Sequence, residues 1–137
     1  MLKYMLDTNI CIYIMKRQPA AVARRFAKCR QGDVVISAIT LAELEYGVFC
    51  SGEATRLQNR RALDALVKVI PSVPFTEPAA QAYAAVRAAA PDRTRDALDK
   101  LIASHAISLG LTLVTNNLND FRVFPDISLE NWVEDND

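Results

Sequence analysis

Lys3-Tyr4-Met5-Leu6-Asp7-Thr8-Asn9 is the stretch from which the rest of the chain can be placed. A short apolar run ends on a carboxylate, and a helical pattern through Ile10, Ile12, Tyr13 and Ile14 follows at once. That order reads as a buried strand, Lys3 to Leu6, leading through Asp7 to a helix that Thr8 or Asn9 caps. Open α/β sheets bind ligands just outside the carboxyl ends of their strands, so Asp7 marks the functional edge. Glu43, Asp99 and Asn117 each follow or flank a strand-like segment and are expected to share that edge.

Outward from this stretch, strands alternate with helices. Pro19 opens a second helix with Val22, Phe26 and Cys29 as its apolar stripe, and Gly32 ends it. Asp33 to Ser37 is β-branched and too short for a helix, hence a second strand. Thr40 opens a third helix that Gly47 weakens and Gly52 stops. A basic helix over Ala54–Val69 follows, then a brief edge strand near Val73-Pro74-Phe75. Thr76 and Pro78 start an Ala-rich helix running to Ala90, and Pro91-Asp92-Arg93-Thr94-Arg95 is a polar connection. Asp96 to Leu109 is helical and stops at Gly110. Leu111 to Thr115 is a buried strand, Asn116 to Asp120 an amide-rich loop, and a strand near Ile127-Ser128-Leu129 with Trp132 closes the chain. This alternation predicts a parallel sheet covered by helices on both faces.

A length of 137 residues with 51% hydrophobic content suits one domain, residues 1–137, with a real core. Charges interrupt every apolar run short of the roughly 20 residues of a membrane span, so the expected setting is the cytosol, without membrane contact. Cys11, Cys29 and Cys50 are odd in number and widely spaced, which suits reduced thiols with packing roles. Zero formal net charge excludes a global attraction to nucleic acid, but every charge from Lys16 to Arg30 is basic, and this segment reads either as a phosphate footprint or as a solvated helix face.

Hard divalent cations favour oxygen ligands, and Asp7, Glu43 and Asp99 are of that type. Carboxylates gathered without a cation repel and raise one another's pKa, so a metal resolves the conflict that convergence would create. Each residue also has a purely structural reading. Asp7 is a good helix cap; Thr40-Leu41-Ala42-Glu43 fits a capping box; Asp96 and Asp99 suit a first helical turn; Asn116 and Asn117 suit a turn. The joint pattern, not any single acid, points to a site. His105 is the sole histidine, which excludes two-histidine mechanisms within one chain, and its apolar neighbours predict a packed or locally bonded ring. Glycine-rich phosphate loops are absent.

Four segments together, Met5-Leu6-Asp7-Thr8-Asn9, Thr40-Leu41-Ala42-Glu43-Leu44, Asp99-Lys100-Leu101-Ile102-Ala103-Ser104-His105-Ala106, and Leu113-Val114-Thr115-Asn116-Asn117 with Asp120-Phe121, resemble the PIN domain, specifically the VapC toxins of bacterial toxin–antitoxin pairs. The resemblance extends to Asn131-Trp132. It implies a PIN-like α/β/α sandwich with a central parallel sheet and a Mg2+- or Mn2+-dependent endoribonuclease site. Asp7 and Asp99 would be the principal metal ligands, Glu43 a further acidic ligand or water-positioning group, and Asn117 a fourth catalytic position. At the substrate-binding edge, Thr8 and Thr115 would orient the carboxylates. Asp120 would compensate in part for Asn117, where many relatives carry an acid. Many relatives also have Gly-Pro before the third acid; this chain reads Asp96-Ala97-Leu98-Asp99, and Ile102-Ala103 in register assigns Asp99, leaving Asp96 second.

The resemblance further implies a cognate VapB-type antitoxin whose C-terminal segment fills the groove above the acids, a toxin homodimer within a larger complex, and promoter DNA reached only through the antitoxin. The implied substrate is a structured RNA such as a tRNA. Two other readings stand beside this one. A phosphotransferase would use Asp7 as a covalent nucleophile, although Asn9 stands where Asp-x-Asp phosphatases carry a second acid. A catalytically weak RNA- or partner-binding module would use the acids only as caps.

Overall fold

The computed structural model describes residues 1–91 and 96–134. Among these residues five strands form one sheet: β1 (Tyr4–Leu6), β2 (Val34–Ser37), β3 (Ser72–Val73), β4 (Thr112–Val114) and β5 (Ser128–Glu130). The order is β3-β2-β1-β4-β5 and every pairing is parallel. Tyr4 stands beside Val34 on one side and Thr112 on the other, so the first strand made is the centre of the sheet. The chain builds outward from β1 to β3, then crosses back to place β4 on β1's other side. Such a reversal opens a crevice at the carboxyl ends of the central strands, where Asp7 lies.

Helices α1 (Thr8–Lys16) and α2 (Ala20–Ala27) link β1 to β2, and α3 (Ala38–Cys50) and α4 (Glu53–Val69) link β2 to β3. The next link holds α5 (Glu77–Ala89) and α6 (Ala97–Leu109), and the last holds the single turn α7 (Leu118–Phe121). Strand side chains alternate between two cores. Leu6, Val34, Ile36 and Val114 pack with Ile10, Leu44, Leu63 and Leu66 beneath α1 to α4. Met5, Val35 and Leu113 pack with Val86, Ile102, Ala103 and Phe121 beneath α5 to α7. Burial on both faces explains why β2 reads as a continuous apolar run, all four residues being buried. The expected α/β/α sandwich with a central parallel sheet is therefore the observed fold.

Several boundaries differ from expectation for local reasons. Asp7, not Thr8 or Asn9, is the N-cap of α1, and its Oδ1 accepts the Ile10 amide at 3.0 Å. The third helix begins at Ala38, because Ser37 at the end of β2 caps it by accepting the Ile39 amide at 3.0 Å. Thr40 is consequently inside the helix, and the Thr40–Glu43 capping box does not form. Pro19 is the N-cap of α2 rather than its first residue, and the amide-rich loop closes into α7. Gly110 ends α6 at φ +67°, a left-handed turn that glycine adopts without cost. Cys11 is buried and Cys29 partly so, but Cys50 is exposed at the end of α3, not in the core. Of the polar connection, Asp92 to Arg95 lie outside the described residues.

Candidate active site

Asp7 is delivered by β1 into the crevice and is nearly buried. Burial is the main force pushing its carboxyl above the usual aspartate range; Glu43 pushes the same way, while the Thr115 hydroxyl and the Ile10 and Asn9 amides hold it back. A carboxylate kept here thus has one hydroxyl and two amides aimed at its charge. Thr115 comes from the end of β4, beside β1, and its Oγ1 also accepts the Asn117 amide at 3.0 Å.

Glu43 arrives from the far side of the crevice on α3. In place of the Thr40 amide it accepts the Thr8 hydroxyl at 2.6 Å, a contact spanning 35 positions of sequence. Asp99 sits in the first turn of α6. Its carboxyl is pushed up to about 6, first by desolvation and then by the charges of Asp7, Glu43, Asp96 and Asp120. That set of sources shows that the four sequence-distant acids share one region. Asn117 completes the rim through its side-chain amide, which donates to Asp120 Oδ2 at 2.6 Å.

Asp96 adds its charge to this group but has a cation beside it. Its Oδ1 lies 3.7 Å from Lys100 Nζ, and that buried ammonium also donates to the Ala90 carbonyl at 2.8 Å. Lys100 thus ties the start of α6 to the end of α5 while Asp99, one residue earlier, faces the acids. Local sequence gives no warning of this, since a lysine following an acid is ordinary helix surface.

Beside Glu43 opens a groove of about 650 Å³ between α1, α3 and α4. Its lining is partly apolar (Ile12, Met15, Leu44, Val48) and includes Lys16, Gln58 and Asn59. Lys16 is the part of the basic segment that reaches this site. Arg25 turns elsewhere, pairing with Glu130 and lying 5.5 Å above the Trp132 ring. Gln58 and Asn59 were invisible as site residues because α4 reads simply as a basic amphipathic helix.

His105 is not in the crevice. It is buried beneath it, with Nδ1 2.7 Å from Ser37 Oγ and its ring edge-on to Phe75. The expectation of a packed, locally bonded ring is met.

The donor set fits a hard divalent cation. It offers carboxylate, hydroxyl and amide oxygens with no histidine or thiol, and its charges repel one another as they stand. Among the described residues no three His, Cys, Asp or Glu side chains close around a single point.

Residues 4–126 match the family model of the PIN domain. The chain belongs to the PIN domain family. This PIN domain is 40% identical over 134 residues to the tRNA(fMet)-specific endonuclease VapC of Shigella flexneri, covering 96% of this chain and 99% of that one. It is 36% identical over 135 residues to Ribonuclease VapC2 of Rickettsia felis, covering 94% and 97%. In three dimensions it resembles a chain of the Rickettsia felis VapBC2 complex bound to a promoter DNA fragment, with a TM-score of 0.85 and 35% identity over 96% of this chain and 99% of that one. Among the described residues, no helix of this PIN domain is long and apolar enough to cross a membrane.

Proposed function

We propose that this PIN domain is the toxin of a type II toxin–antitoxin pair, an endoribonuclease that cleaves RNA phosphodiester bonds with Mg2+ or Mn2+. The observation that carries the reading is the convergence of Asp7, Glu43 and Asp99 on one crevice where their charges oppose one another. Full-length similarity to VapC ribonucleases supports it. A structured RNA, and a tRNA in particular, is the substrate class that the Shigella flexneri relative suggests. A single-stranded loop presents phosphates and splayed bases that can enter such a crevice. In this reading the protein acts on tRNA, so its working compartment is the cytoplasm.

In this reading Asp7 and Asp99 hold the cation and Glu43 is the further acidic ligand. When bound, the cation supplies Lewis-acid charge to the phosphate and lowers the pKa of a water nucleophile. Thr115 orients Asp7, and Thr8 fixes one oxygen of Glu43, leaving the other free to face the crevice. Asn117 restrains Asp120 at the rim, where the pair meets substrate. Lys16 offers the approaching backbone a positive charge.

The partner is a VapB-type antitoxin, as the Rickettsia felis complex suggests. Its C-terminal segment would lay an apolar stripe on Ile12, Met15, Leu44 and Val48 and bring a basic side chain to Glu43. The toxin would act as a homodimer in a larger assembly whose promoter contacts belong to the antitoxin.

The test is cleavage of total bacterial RNA by partner-free protein with Mg2+, Mn2+ or chelator, with Asp7→Asn in parallel. Discrete fragments that need the metal and vanish in the variant are expected. Folded protein that cuts nothing under any of these conditions would refute the reading.

A further inference from the structure

His105 and Ser37 take no part in the chemistry just described, yet they form a continuous buried chain beneath it. Both are essentially inaccessible. The Ser37 oxygen accepts the Ile39 amide at 3.0 Å and lies 2.7 Å from His105 Nδ1, while the imidazole also bonds the Pro74 backbone. A carbonyl can only accept, so the ring nitrogen facing Pro74 carries the hydrogen and Nδ1 offers its lone pair. Ser37 therefore donates to His105, and the bonds run in one direction: Ile39 N–H to Ser37, Ser37 O–H to His105, His105 N–H to Pro74. Every polar group in the chain is satisfied, the condition under which a buried network fixes one geometry.

This chain joins the elements that carry two of the acids. Ser37 is the N-cap of α3, with Glu43 six residues beyond it. His105 lies in α6, with Asp99 six residues before it. At 1.5 Å per residue each acid stands about 9 Å along its helix from the same hydrogen bond. A small change of angle at that junction is carried to the two carboxylates by both arms. The contact with Pro74 and the edge-on Phe75 ring pins the junction from the end of β3 as well.

We propose that His105 is a positioning residue: through Ser37 it locks α3 to α6 and sets the separation between Glu43 and Asp99. The inference deepens the nuclease reading and rests on it for its catalytic consequence, but the separation itself is a property of the fold. Loss of an outer contact that orients a ligand costs about tenfold to a hundredfold in metal affinity or activity, and ångström-scale misplacement has effects of that size.

The experiment compares wild type with His105→Leu, His105→Asn and Ser37→Ala, each confirmed folded by circular dichroism. Two readouts are taken: kcat and KM for RNA cleavage, and the Glu43–Asp99 separation in crystals grown without metal. In His105→Leu the separation changes, and kcat falls by about tenfold to a hundredfold with KM within about twofold of wild type. His105→Asn, whose carbonyl can accept the Ser37 hydroxyl in place of Nδ1, recovers most of kcat. A folded His105→Leu with wild-type separation and kcat overturns the proposal, as does a kcat loss that His105→Asn does not relieve. Should His105→Leu fail to fold, Ser37→Ala breaks the same bond with the imidazole intact, and unchanged separation there also overturns it. If wild type cuts no RNA, the nuclease reading falls while the crystallographic separation still decides the positioning role.

Discussion

Glu43 and Glu45 stand two residues apart on α3 and meet opposite surroundings. Glu45 points outward to α4, where Arg60 grips both its oxygens at 2.6 and 3.0 Å and holds its carboxyl below the usual glutamate range. Glu43 points inward, where it accepts a hydrogen bond from the neutral Thr8 hydroxyl and shares its surroundings with the acids Asp7 and Asp99. One side of the helix neutralises its acid; the other assembles acids against each other. An arrangement that raises energy in the resting protein persists where something else relieves it, and a divalent cation is the simplest agent able to do so.

The largest effect expected from breaking this contrast is on catalysis. Asp7→Asn or Asp99→Asn should lower RNA cleavage by more than about a hundredfold, beyond what loss of a merely supporting contact costs. Glu45→Gln should leave initial rates within about twofold. Comparable losses from Glu45→Gln and Asp99→Asn would erase the distinction between the two sides of α3.

Next in size is the response to metal. Saturation to about 100 Kd is worth about 2.7 kcal/mol, a rise of several degrees in melting temperature for a chain of this length. Calorimetry should register this rise for wild type on adding Mg2+ or Mn2+ and its loss in Asp7→Asn/Asp99→Asn. An equal rise in the double variant would mean that the ion binds elsewhere.

Acidity sharpens the comparison further. Asp99 titrates near 6 in the folded protein, above its ordinary value of 3.8, so the folded state holds that proton more tightly than the unfolded chain. Its contribution therefore favours folding below about pH 4 and is lost as pH rises through 6. Glu45 is shifted downward, so its contribution is present at neutral pH and is lost on acidification through its folded pKa. Melting curves from pH 4 to 8 in chelator should show an Asp99-dependent decline with rising pH that Asp99→Asn flattens. A wild-type curve indistinguishable from Asp99→Asn would contradict the crowding of charge.

The smallest effect is expected at Arg60→Ala. Removing the exposed partner of Glu45 and Asp64 should move the melting temperature only slightly, since surface pairs contribute little. A large loss of RNA cleavage would show that the outer side of α3 serves the reaction after all.

The strand leading to Asp7 was legible because a buried parallel strand leaves a dense apolar signature. The sheet between two helical layers followed from the same alternation. Glu43 was harder, because Thr40-Leu41-Ala42-Glu43 mimics a capping box. Ser37, on which β2 ends, takes the capping role instead, and Thr40 falls inside the helix. The bond from Thr8 to Glu43 joins positions far apart in sequence, so no local pattern contains it. The packed state of His105 was legible, but its partner Ser37 was not, and Lys100 was opaque for a related reason: Ala90 and Ser37 are groups that only the folded chain brings near. Asp7 shows that two readings need not compete, since one oxygen caps α1 while the carboxylate as a whole faces the crevice.

The strand order has a consequence for the life of the molecule during its synthesis. β1 leaves the ribosome first, yet it is completed on one side by β4, and Asp7 is steadied by Thr115 from that strand's end. Contacts of such long sequence separation form late. The crevice therefore does not form on a growing chain until β4 and Thr115 have followed β1 and Asp7 out of the ribosome.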